Sequence, residues 1–276
     1  MHQRRGLKHV VLSLSAIVTL CGTASAEASV DLESTAAKAA AAIERLHYNA
    51  SKALVTAAQD KTFGAYFHTH DHEGREEVKG RIDNVSLAVQ ERFHVEEMCL
   101  IDPEGKEISR IVGKEIAHDL AIDEADAPFF EPGFSTPHRK VHISPIYMSP
   151  DAEKWVVAYV TPVILDGEKK SILHYEHSLT AYTLPLEHQS RATGANIMLM
   201  TESGHVIYDS TREIAIELEE NFENLDDYFS ELQLFDIEYF KAVNSGGFGE
   251  IAGPNGPIEV AIRDVGDWIV VAWSDI

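Results

Sequence analysis

Cys99-Leu-Ile-Asp-Pro-Glu-Gly-Lys-Glu-Ile-Ser-Arg110 is the stretch whose reading decides the fold. Apolar residues flank Asp102-Pro-Glu-Gly105, where Pro presets one backbone dihedral and Gly takes a left-handed one. The stretch therefore reads as two strands joined by a tight turn. Starting 99 residues later, Met198-Leu-Met-Thr-Glu-Ser-Gly-His-Val-Ile-Tyr-Asp209 repeats the pattern, with Gly204 falling on Gly105. Two copies of one strand-rich module follow from that overlay.

Working outward, the first hairpin is followed by an irregular acidic stretch, 114–137, and then by candidate strands at 141–148, 155–165 and 171–179. A linking segment, 183–194, leads into the second copy, with strands expected at 197–200, 206–208, 249–251, 258–263 and 268–273. Phe222, Leu225, Phe229 and Leu232 mark an acidic amphipathic helix inside it. Upstream, 31–59 is Ala-rich and free of Gly and Pro, with Ile43, His47, Ala50 and Leu54 at helical spacing. A second helix is predicted over 76–93, where Val78, Ile82, Val85, Val89 and Phe93 form an apolar stripe, and Asp71-His-Glu-Gly74 reads as a polar hinge between the two. The expected class is α+β: a long N-terminal helix and two tandem modules, each a mostly antiparallel sheet with flanking helices. Boundaries fall at 1–26, 27–93, 94–182 and 183–276.

Residues 1–26 have the pattern of an export signal: Arg4, Arg5 and Lys8, an apolar run from Val10 to Cys21, then the small-residue site Ala24-Ser-Ala26. Cleavage there leaves a periplasmic or secreted chain beginning near Glu27. The three basic residues of the leader go with it, so the formal charge of −22 becomes −25. Such a surface repels phosphate backbones and anionic headgroups, which speaks against nucleic-acid and membrane-surface partners. Of two cysteines, Cys21 belongs to the leader, so Cys99 has no disulfide partner within the mature chain and reads as a buried strand residue.

With the modules laid out, the sequence resembles the double Cache family of PAS-like extracytoplasmic sensor domains, over nearly the whole mature chain. The resemblance is carried by the long first helix, Leu100-Ile-Asp-Pro-Glu-Gly-Lys-Glu-Ile108, Ile143-Ser-Pro-Ile-Tyr147, Val160-Thr-Pro162 and the acid of Leu173-His-Tyr-Glu176. It implies a small ligand in the first, membrane-distal type module, enclosed by the 114–137 loop over the strands of 141–179. In the amino-acid-binding subset of that family an Arg and a Trp of the loop hold the ligand carboxylate, and a Tyr and an Asp further along hold its amine. Tyr147 and Glu176 suit the second pair. The first pair is missing from Asp126-Ala-Pro-Phe-Phe-Glu131, which leaves Arg139 or a protonated histidine to supply positive charge.

Strand alternation puts His174 and Glu176 on one face and Tyr175 and His177 on the other. Facing a pocket, the first pair offers an imidazole beside a carboxylate, suited to an ammonium or other polar ligand; facing a neighbouring strand, it only bridges backbone groups. Phe129 and Phe130 serve either as an aromatic lid or as core anchors of the loop, and His142 is a further pocket candidate. His68, His70 and His72 with Asp71 form a candidate metal cluster for zinc, copper or nickel, set against a solvated turn. No catalytic motif is present: there is no His-Glu-x-x-His, Gly-x-Ser-x-Gly or Walker loop. The expectation is a non-enzymatic, stand-alone ligand-binding sensor without cofactor, taking an amine, amino acid or carboxylate and relaying binding to a separate membrane receptor or transporter. The alternatives are a ligand-free adaptor and a metal-binding periplasmic protein.

Overall fold

The structure, a computed structural model, describes residues 30–93, 96–121, 123–202, 206–214, 247–253 and 256–276. The leader, Gly204 and the helix expected around 222–232 lie outside these.

Three helices lead the chain: α1 (Leu32–Ala57), α2 (Lys61–His68) and α3 (His72–Phe93). Asp31 opens α1 by accepting from the Ser34 amide at 2.9 Å, satisfying a donor that has no partner within the helix. Two features differ from the sequence reading. Asp60 caps the additional helix α2, whose Phe63 is fully buried, and the expected hinge at 71–74 runs into the first turn of α3, where the Asp71 carboxylate accepts from the Gly74 amide at 2.7 Å. Short polar runs here are caps rather than loops, because Asp favours both.

The first sheet is built from β1 (Glu97–Ile101), β2 (Glu107–Val112), β3 (Glu115–Ile116), β4 (His142–Ser149), β5 (Lys154–Leu165) and β6 (Glu168–Ser178), in the order β3-β2-β1-β6-β5-β4. The second holds β7 (Asn196–Thr201), β8 (Val206–Asp209), β9 (Phe248–Gly253), β10 (Gly256–Val265) and β11 (Trp268–Asp275), in the order β8-β7-β11-β10-β9. All pairings are antiparallel, and in each sheet the last meander strand returns to the centre beside the first hairpin strand, β6 on β1 and β11 on β7. That shared order is the repeat visible in the two hairpin sequences.

The segment between first hairpin and meander contains β3 and a short helix, α4 (Phe130–Ser135). The expected linking segment is a helix, α5 (Thr180–Thr193), ended by Gly194 at φ 74°. Pro185 lies inside it, and burial of Tyr182 and Leu186 against α1 offsets that break in the backbone pattern. A single apolar core joins α1 to the rear of both sheets, from Ile43 and Leu54 through Tyr159 and Tyr175 to Leu199 and Val270.

Candidate functional site

The front of the first sheet is formed by side chains that strand register brings into one plane. Glu97 pairs with Glu176, Cys99 with His174 and Ile101 with Ile172 across β1 and β6. A register shift after Leu100 sets Arg110 opposite Cys99 and Glu107 opposite Ile101, so residues three apart on β2 serve the same face. The loop above is stitched to this hairpin: Glu107 N donates to the Ala121 carbonyl at 3.0 Å and Glu124 N to the Gly105 carbonyl at 2.8 Å. Gly105 has φ 83°, and a Cβ there would stand 2.9 Å from the Ala125 amide nitrogen, so this turn needs glycine on both counts.

Between loop and sheet lies a cavity of about 280 Å³. Its wall holds six carboxylates, from Glu97, Glu107, Asp123, Glu124, Asp151 and Glu176, together with Cys99, Tyr147, His174 and Phe129, and among the described residues it has no lysine or arginine. Glu97, Cys99, Glu107, His174 and Glu176 are each at most 7% exposed. Tyr147 donates its hydroxyl hydrogen bond to Glu176 Oε1, and His174 Nε2 sits 3.4 Å from the same oxygen. Phe129 stacks on the His174 ring with centroids 4.0 Å apart and planes 14° from parallel. Glu176 Oε2 and His174 Nδ1 are buried without a partner.

Two carboxylates directly opposite on a buried face cannot both be anionic at low cost. Burial, and then the Glu176 charge, push Glu97 up to about 9. Burial alone would lift Glu176 as well, but the hydrogen bond and attraction of His174, followed by the hydrogen bond from Tyr147, hold it below the ordinary carboxylate range. Glu124 is raised by burial and by Glu107. Arg110 stands behind the wall, with Nη1 2.9 Å from Asp151 and 3.6 Å from Glu107 and Nη2 3.0 Å from Asp119, so its charge is committed to protein carboxylates. The arrangement is one of acidic groups crowded into a small space, which attracts positive charge.

The structure brings Glu176, His174, Tyr147 and Phe129 together. Phe130 lies on α4 against Phe134, with ring centroids 5.0 Å apart, outside the cavity lining. Arg139 is exposed and lines a separate cleft with Val55, Gly64 and Leu165. His142 lines another, of about 640 Å³, with His47 and Trp268. His68 is exposed and makes a 3.3 Å contact with Asp166; among the described residues the cluster of three metal-type donor atoms within 4.8 Å of one another is Glu97, Cys99 and Glu107. Sequence reasoning missed both of those acids. Their signal, a Glu in phase with the Cys99 face of β1 and another at the start of β2, has meaning only once the register is known.

Comparison with known structures agrees with this architecture. The sensory domain of the Campylobacter jejuni chemoreceptor Tlp3, with isoleucine bound, is similar at a TM-score of 0.68 and 12% identity, over 88% of this chain and 91% of that one. The ligand-binding domain of the Pseudomonas fluorescens chemoreceptor CtaA in complex with L-isoleucine is similar at 0.61 and 12%, over 88% and 90%. No protein-family model and no curated protein sequence matches the chain. What these likenesses show is the fold: an N-terminal helix and two antiparallel sheets in the PAS-like arrangement of double Cache sensory domains.

Proposed function

We propose that this double Cache chain is an extracytoplasmic, non-enzymatic sensor module whose first cavity takes a small, positively charged solute bearing an amine. The observation that carries the reading is the wall of six carboxylates without a lysine or arginine. The chemoreceptor domains named above hold isoleucine; here both Nη atoms of Arg110 are already engaged by protein carboxylates, whereas an ammonium would meet the partnerless Glu176 Oε2, the Glu97 carboxyl group opposite and the faces of Phe129 and Tyr147. At about 280 Å³ the cavity suits a molecule at the small end of the range for ligand sites. The 114–137 loop, anchored on the hairpin and carrying Phe129, is the element whose position would follow occupancy, and a membrane receptor or transporter docking that surface would read it. The leader supports export, and among the described residues no helix is long and apolar enough to cross a membrane.

A thermal-shift series on the full chain, with small mono- and diamines, matched amino acids and matched carboxylates, tests this. Amines are expected to raise the midpoint in a concentration-dependent way, because a ligand that binds only the folded state stabilises it by mass action. Glu176→Gln is expected to weaken that response by about ten- to a hundredfold in Kd, the range for losing a hydrogen bond to a charged partner. A response confined to carboxylates, or one untouched by Glu176→Gln, would overturn the assignment.

A further inference from the structure

We propose that Glu97, Cys99 and Glu107, at the floor of the same cavity, form a site for one divalent metal ion of the zinc, cobalt and cadmium kind. The proposal rests on the reading that this cavity takes positive charge, and it adds an inorganic occupant at an overlapping set of atoms that includes Glu97. Cys99 Sγ is 3.0 Å from Glu97 Oε1 and 3.1 Å from Glu107 Oε1, and the three donor atoms all lie within 4.8 Å of one another. The thiol thus stands within hydrogen-bond reach of both carboxyl groups, so sulfur and the two acids already face one another. The independent observation is Glu176 Oε2: it is buried without a partner, lines the same cavity, and belongs to the residue directly opposite Glu97 on β6.

The donor set selects the ion. Calcium and magnesium want oxygen ligands alone. A thiolate beside carboxylates suits a borderline-soft ion with bonds of about 2.0–2.3 Å, which places donors about 3.5 Å apart around a tetrahedron. The two sulfur–oxygen spacings need to open by only a few tenths of an ångström. Binding releases the thiol proton and the proton held on Glu97 to buffer and forms one sulfur–metal bond and two carboxylate–metal bonds, with no change of oxidation state. Metal and ammonium would both draw on Glu97 and on the Glu176 charge opposite it, so each should exclude the other.

The full chain, freed of metal with a chelator, would be titrated with Co²⁺ and separately with Zn²⁺. We expect one ion per chain at this site, a near-ultraviolet thiolate-to-cobalt charge-transfer band, at least tenfold weaker Zn²⁺ binding with the band lost in Cys99→Ser, and no change in Cys21→Ser or in the triple replacement of His68, His70 and His72 by Ala. The band is read on the native chain, so the test does not depend on the variant folding. Absence of the band, or Zn²⁺ binding that survives Cys99→Ser and vanishes with the three histidines, overturns the proposal. Amines that shift the melting midpoint while no metal binds would sink this inference and leave the amine reading standing; silence from both sinks both.

Discussion

Glu176 shows how far a single residue could be read in advance. Alternation along one strand paired it with His174 on a common face, and that is where both stand, beneath Phe129 and beside Tyr147. Its counterpart Glu97 gave no comparable signal, because a Glu at the edge of an apolar run is solvent-facing by default, and only pairing with β6 buries it opposite another acid. Arg110 carries the matching lesson in energetics. It is 4% exposed and pairs with the buried Glu107 and the solvent-exposed Asp151 from behind the cavity wall, so Arg110→Met would leave the Glu107 charge buried and uncompensated. That substitution is expected to cost about 3–5 kcal/mol, the usual penalty for breaking a buried pair by removing one partner. Urea unfolding measures it; a loss below 1 kcal/mol would mean that water, not the guanidinium, balances these acids.

At the scale of elements, strands were the most legible part of the chain. The two hairpins and both meanders lie where the apolar runs and turns put them, since period-two patterning and Gly-bearing turns are local properties. Short helices were not, because α2, α4 and α5 are stabilised by what they pack against rather than by their own periodicity. Gly133 in α4 is a sharp example. A Cβ there would sit 2.5 Å from Val160 Cγ1, so the absence of a side chain is what lets α4 lie on the sheet. Gly133→Ala should lift α4, destabilise by about 1–3 kcal/mol as overpacking does, and loosen the Phe129–His174 stack in the preceding turn. Paired measurements of the chemical-denaturation midpoint and of amine affinity should fall together; an unchanged affinity would detach α4 from the site.

Over the whole molecule, α1 holds the two sheets on one core, and its centre carries an ionisable group in an aromatic setting. His47 Nδ1 shares a 2.6 Å hydrogen bond with the Tyr159 hydroxyl, which in turn shares one of 2.9 Å with Tyr182, while Trp268 of the second sheet stands edge-on at 4.8 Å. His177, on the rear of β6, packs against Tyr159, Tyr175 and Tyr182. Burial lowers both histidines to about 4, with the nearness of His47 adding to the effect on His177. A lowered folded-state pKa means the unfolded chain binds protons first. The stability these groups contribute is therefore present above about pH 6.5 and lost as pH falls towards 4, by about 3 kcal/mol for each. Thermal melts at pH 7 and pH 4.5 should show a drop in the native chain that shrinks in His47→Gln/His177→Gln. An equal drop in both would place the acid sensitivity elsewhere.

Taken alone, the sequence was sufficient for the repeated hairpin-and-meander order, the long leading helix, the α+β class and the sharing of one strand face by His174 and Glu176. Each of these follows from interactions between residues close along the chain, or from patterns a strand or helix imposes on itself. The convergence of six acids on one cavity, the committed charge of Arg110 and the triangle of Glu97, Cys99 and Glu107 were decided by the tertiary structure. They arise from the register between strands distant in sequence and from the path of the loop over them, and a shift of one residue along β1 would have turned the same side chains to the opposite face.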